Sequence, residues 1–198
     1  MSNVAMANVE EIVTSYRATL SDLLDGVAME AITAAANALR AARDERRTIF
    51  IAGNGGSAAT ATHFVNDLGK ATKRNGTPPL RVIGLSDNLA WLTALANDEG
   101  YQRVFSGQME NFAEPGDLLI LISCSGSSPN LVEAARWAKE HGVTTLALLG
   151  FDGGVLKDQV DLEILVQSPL GLYGPVESAH SVLTDILTTC LIEDRSST

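Results

Sequence analysis

His63 and Asp67 stand four residues apart in the stretch ATATHFVNDLGK. That spacing places both side chains on one face of a helix. An imidazole beside a carboxylate there can share a metal ion or work as an acid–base pair, and a surface hydrogen-bonded pair shows the same pattern. Nearer the C-terminus, Glu177 and His180 are one helical turn apart. Asp185 follows eight residues after Glu177, roughly 12 Å along a helix axis. Spacing alone does not join Asp185 to the other two, and a solvated helix face would read the same way.

Two loops carry a different chemistry. Gly53-Asn54-Gly55-Gly56-Ser57 has three glycines that let the backbone turn sharply and approach a ligand closely. Ser57 is placed to cap a following helix, whose N–H groups would point at whatever fills the crevice. The spacing is not that of a dinucleotide fingerprint, and no Walker lysine follows. In Ser123-Cys124-Ser125-Gly126-Ser127-Ser128 the hydroxyls offer hydrogen-bond donors without a negative charge, and Pro129 suits the first turn of a helix. Either loop alone reads equally as a tight turn; two at the ends of neighbouring strands would make an anion pocket. Asn97-Asp98 has the look of a helix end with turn residues. Lys70, Lys73 and Arg74 form a small basic cluster after the histidine helix, suited to a phosphate or simply to solvent.

The elements that must position these residues alternate. Apolar residues from Val9 to Leu24 and from Ala28 to Ala42 recur at helical steps, giving a helical hairpin. Its alanine-rich faces suit packing against a partner or against its own domain. Thr48–Ala52, Arg81–Leu85, Asp117–Ser123, Thr144–Gly150 and Leu162–Val166 are short apolar runs. Helical stretches follow, from Ala58, through Leu92–Leu95 and Val104–Met109, over Pro129 to Glu140, and from about Val176 to Ile192. Continuous apolar strands alternating with helices predict an α/β fold, a doubly wound five-stranded parallel sheet covered on both faces. Ligands in such sheets bind beyond the carboxyl ends of the strands, where the two loops lie. A single domain over 1–198 is expected, with 1–46 as the hairpin and 47–198 as the α/β core.

Composition excludes several classes. Apolar residues make up 45% of the 198, which argues against disorder. A formal charge of −10 argues against a nucleic-acid partner. Two cysteines are too few for a disulfide framework. With no apolar run of membrane-spanning length and no signal-peptide pattern, no membrane partner and a cytoplasmic location are expected.

From GNGGSAATATHF onward, with LSDNLAWLTALANDEGYQRVFSGQ, ISCSGSSPN and ESAH, the chain resembles the sugar isomerase (SIS) domain family, in particular its phosphoheptose isomerase branch. The resemblance implies a flavodoxin-like core and a homotetramer with the N-terminal helices in the interface. It implies aldose–ketose isomerisation of a phosphosugar, sedoheptulose 7-phosphate to D-glycero-D-manno-heptose 7-phosphate, through an ene-diolate. Ser123, Ser125 and Ser128 would then hold phosphate. Asn54, Gly55, Ser57, Asp98 and Glu177 would meet the sugar. His63, Asp67, Glu177 and Asp185 would fall at the metal positions, with Asp67, His63 and Asp185 catalytic and His180 a second candidate for the hydroxyl proton.

The family's metal set is histidine, glutamate, glutamine and histidine, so Asp67, Glu177 and Asp185 depart from it. The resemblance implies zinc, whereas one histidine with three carboxylates is an oxygen-rich set suited to manganese, magnesium or calcium. The departures also allow the alternative of a non-catalytic phosphosugar-binding or assembly protein.

Overall fold

In the computed structural model, residues 8–73 and 77–194 are described, so Arg74 of the basic cluster lies outside the described residues. Two helices come first, α1 (Val9–Asp25) and α2 (Met29–Asp44). Five strands follow: β1 (Thr48–Gly53), β2 (Arg81–Gly84), β3 (Leu118–Ser123), β4 (Thr144–Phe151) and β5 (Leu162–Gln167). Between and after them run α3 (Gly55–Asn66), α4 (Leu89–Asp98), the short α5 (Ser106–Met109), α6 (Pro129–Glu140) and α7 (Tyr173–Glu193).

The strands form one parallel sheet in the order β2-β1-β3-β4-β5. β1 and β3 are adjacent in space, and the chain winds outward from them in both directions. The crevice therefore opens between the loops after β1 and β3, the switch point of such a sheet. The glycine and serine loops are those two loops.

Side-chain alternation builds two cores. Ile49, Ile51, Ile120, Leu146 and Ile164 point to one face, where they meet Leu39, Phe64, Leu183 and Leu187 of α2, α3 and α7. Phe50, Leu119, Leu121, Ala147 and Leu149 point to the other, against Phe105, Met109, Leu131 and Ala134 around α5 and α6. A strand buried on both faces has no reason to alternate in polarity, which is why the central strands read as unbroken apolar runs. The hairpin packs on its own sheet: Ala35, Ala36, Leu39 and Ala42 of α2 are buried in the first core. Among the described residues, no helix is long and apolar enough to cross a membrane.

Two helix starts differ from the sequence expectation. α3 starts at Gly55 rather than Ala58, because Gly55 takes a positive φ of 53° just inside the turn and Asn54 is its N-cap. Ser57 is thus inside the first turn and does not cap it. α7 begins at Tyr173, three residues before Val176, with Pro175 in its first turn, where a missing N–H costs nothing.

Candidate active site

Asn54 and Asn130 lock the crevice at its floor. Each amide nitrogen donates to the other's carbonyl oxygen at 2.9 Å, tying the loop after β1 to the start of α6. The Tyr101 hydroxyl donates to the same Asn54 oxygen at 3.0 Å. Asn130 is buried, and a side chain so enclosed has to be hydrogen-bonded.

The serine loop is shaped by its own backbone. Gly126 N–H donates to Ser123 Oγ at 3.0 Å and Ser127 N–H to Ser125 Oγ at 3.3 Å. The loop after β4 presses on it: Leu156 N–H donates to Gly126 C=O, and Val155 N–H to Ser127 Oγ. Gly126 and Gly154 both have positive φ, and a Cβ at Gly154 would come within 2.5 Å of Ser127 Oγ. Ser128 is the N-cap of α6 but makes no capping bond with its hydroxyl. The N-terminus of this twelve-residue helix favours an anion in front of it. Ser123, Ser125, Ser128, Asn54, Ser57 and Glu177 line a cleft of about 220 Å³ there.

Glu177 closes that cleft and opens the next. A second cleft, about 480 Å³, runs from Glu177 and Gly56 past Thr60 to His63, with Tyr16 and Ser178 on its wall. Gly56 explains the junction, since a Cβ there would lie 2.6 Å from the Glu177 carboxyl carbon. A bare backbone lets the carboxylate settle on the first turn of α3, where the helix dipole favours it. Cys124 feels the same charge. Burial first, and Glu177 second, push its thiol up to about 11, with the Ser57 hydroxyl offsetting part. It stays a neutral thiol at pH 7.

At the far end, His63 Nε2 lies 3.2 Å from Asp67 Oδ2, and Asn66 Nδ2 donates to Asp67 Oδ1 at 2.9 Å. Asp67 starts a π turn (Asp67–Ala71) that continues α3, a local irregularity often found at functional sites. The structure brings Asp185 to this pair: one ligand atom from each of His63, Asp67 and Asp185 lies within 4.8 Å of the others. Ligands about 2.1 Å from a common ion lie at most about 4.2 Å apart, so these three could hold a divalent cation if their side chains drew together slightly. Glu177 is outside that group; its carboxylate lies over Gly56 instead.

Two expected positions stand apart. Asp98 ends α4, exposed, and accepts from Asn97 Nδ2 at 2.7 Å; it lines neither cleft. His180 is fully buried and neither ring nitrogen has a hydrogen-bond partner. Burial holds it neutral, with its pKa lowered to about 4; the Leu149 backbone, near the ring but outside hydrogen-bonding geometry, offsets only part of this. It cannot reach a substrate, which removes it as an acid or base. Asn130, Tyr101, Tyr16 and Tyr173 line or brace the crevice without having been legible beforehand; the serine-loop position of Asn130 was the one available signal.

A family model described as "SIS domain" matches residues 15–150. The phosphoheptose isomerase of Geobacter metallireducens is 37% identical over 183 residues, covering 90% of this chain and 94% of that protein. That of Nitratiruptor is 34% identical, covering 95% and 98%. A third, from Trichlorobacter lovleyi, is 44% identical over 120 residues, 61% of either chain. Among solved structures, phosphoheptose isomerase from Neisseria gonorrhoeae superposes with a TM-score of 0.83 at 29% identity, covering 93% of this chain and 98% of that one. The α/β architecture, the serine-loop crevice and these likenesses agree: the chain belongs to the SIS domain family, in its phosphoheptose isomerase branch.

Proposed function

We propose that the chain isomerises sedoheptulose 7-phosphate to the aldose D-glycero-D-manno-heptose 7-phosphate. The observation that carries this reading is the continuity at Glu177 of a serine-lined cleft with a cleft that ends in a histidine–carboxylate cluster. An extended sugar phosphate needs those two ends in that order.

Ser123, Ser125 and Ser128 would hold the phosphate against the N-terminus of α6, and Asn54, Gly55 and Ser57 would line the sugar. Asp98 would serve only by moving, or by acting at a neighbouring copy. Asp67, with one oxygen held by Asn66 and the other facing His63, is the candidate base. It would take a proton from C1 of the open-chain ketose and return it to C2. Asp185 would carry the hydroxyl proton from O1 to O2, and His63 would stabilise the ene-diolate between the two transfers. His63, Asp67 and Asp185 would hold a divalent cation, which supplies Lewis-acid polarisation of the carbonyl oxygen. Zinc is the family's ion; two carboxylates with one imidazole also suit manganese or magnesium.

We place the whole chain in one domain. Val9, Ile12 and Val13 on α1 are 72%, 51% and 41% exposed, which supports packing of the hairpin against other copies in a homotetramer. A cytoplasmic setting belongs to the same reading.

The test is a coupled assay with sedoheptulose 7-phosphate on metal-stripped protein and on protein given zinc, manganese or magnesium. Aldoheptose phosphate is expected once an ion is restored. No product with any ion, while the sugar phosphate still raises the melting temperature, would leave a phosphosugar-binding protein in place of an isomerase.

A further inference from the structure

Tyr16 sits on α1, 162 residues from Ser178, yet its hydroxyl lies 2.8 Å from Ser178 Oγ. The ring rests on the first turn of α7 at Gly174, where an added Cβ would lie 3.5 Å from the phenol oxygen and 3.9 Å from Cε2. A longer side chain at Gly174 would take the place the phenol occupies. Tyr16 thereby forms a wall of the 480 Å³ cleft that also contains Gly56, His63 and Glu177. It remains 39% exposed.

The chemistry of that wall differs from the Glu177 carboxylate beside it, while Thr60 and Ser181 form a second hydroxyl pair in the same cleft. An ionised carboxylate only accepts hydrogen bonds, whereas a phenol and a serine hydroxyl each donate and accept. Either oxygen of the Tyr16–Ser178 pair can be the donor. When Ser178 donates to the phenol, the phenolic proton is free for a ligand; when the phenol donates, its lone pairs remain. Such a pair suits a polyol, whose hydroxyls also do both. We propose that Tyr16 is a specificity-determining residue of the sugar cleft, its hydroxyl hydrogen-bonding a hydroxyl of the bound sugar phosphate. The N-terminal hairpin would then build part of the substrate site as well as packing against it. This inference rests on the phosphosugar reading above.

The rival role is a plain staple of α1 to α7. Calorimetric titration of the full-length protein with sedoheptulose 7-phosphate and, separately, inorganic phosphate separates the two. Tyr16→Phe keeps the ring and removes the hydroxyl. It should weaken sugar-phosphate binding about five- to tenfold, the effect of one lost hydrogen bond, and leave inorganic phosphate within about twofold. Ser178→Ala, which frees the phenol, should lose less than Tyr16→Phe. Equal weakening of both ligands by Tyr16→Phe, or equal losses in the two variants, would assign Tyr16 to the staple and overturn the proposal. Unchanged sugar-phosphate binding in Tyr16→Phe overturns it too, with the phosphosugar reading intact. If the wild type bound sedoheptulose 7-phosphate no better than inorganic phosphate, both would fall together.

Discussion

The serine loop and the His63 cluster lie at opposite ends of one groove and are held in different ways. Around Ser123–Ser128, backbone N–H groups, two positive-φ glycines and the neighbouring loop after β4 fix each position. Around His63 the groups rest on helix faces, and two of the three, His63 and Asp185, are exposed. The first region depends on chain geometry and tolerates few changes. The second depends on which side chains the helices present, so its chemistry can change while the fold stays. That contrast would let the loops stay constant while the acid cluster varies.

The strongest way to break the contrast is Asp67→Ala. Removing the candidate base should lower isomerisation by about 10³-fold, within the range for general base catalysis. Inorganic phosphate should still raise the melting temperature as in the wild type, because the serine loop is untouched. Turnover retained in this variant would take Asp67 out of the mechanism.

Next comes α7, which turns Glu177 and Asp185 to the groove and His180 into the core. The folded pKa of His180, about 4, lies below the usual histidine value of 6.5. Between those values the unfolded chain binds a proton that the folded chain does not, so stability is full above pH 6.5 and falls as pH drops toward 4. The full loss is about 3 kcal/mol. His180→Leu should remove that part of the acid sensitivity and relieve two unpartnered buried nitrogens. Urea melts at pH 7 and pH 4.5 check it; an undiminished pH dependence in the variant would place the acid sensitivity elsewhere.

Ser125→Asp tests the other end. A carboxylate in the serine loop should repel phosphate and weaken its binding about 10²-fold, as expected for an uncompensated like charge in a partly buried cleft. Sugar-phosphate binding at wild-type strength would mean that the phosphate sits somewhere else.

How far the sequence reached follows the same division. The strands were legible because a parallel sheet buried on both faces demands apolar runs, and the order of loops followed from the alternation. The His63–Asp67 pair was legible because four residues make a helical turn. Asp185 joined them only through the packing of α7 against α3, and the Asn54–Asn130 and Tyr16–Ser178 bonds span 76 and 162 residues. No local pattern encodes such contacts. His180 was misleading for a related reason: one turn from Glu177 along the helix, it has rotated far enough to face Leu149 and the core.

The smallest expected effect sharpens the boundary between the two regions. Glu177 belongs to both clefts, so its charge should be felt in the serine loop as well as in the sugar cleft. Glu177→Gln keeps the shape and removes the charge. Cys124, whose thiol is raised to about 11 mainly by burial and then by Glu177, should titrate below its wild-type value yet stay above that of an exposed thiol. The pH dependence of thiol alkylation in the folded protein reads this directly. A Cys124 titration identical in the two proteins would show that the Glu177 charge does not act on the serine loop, and the two ends of the groove would then be electrostatically independent.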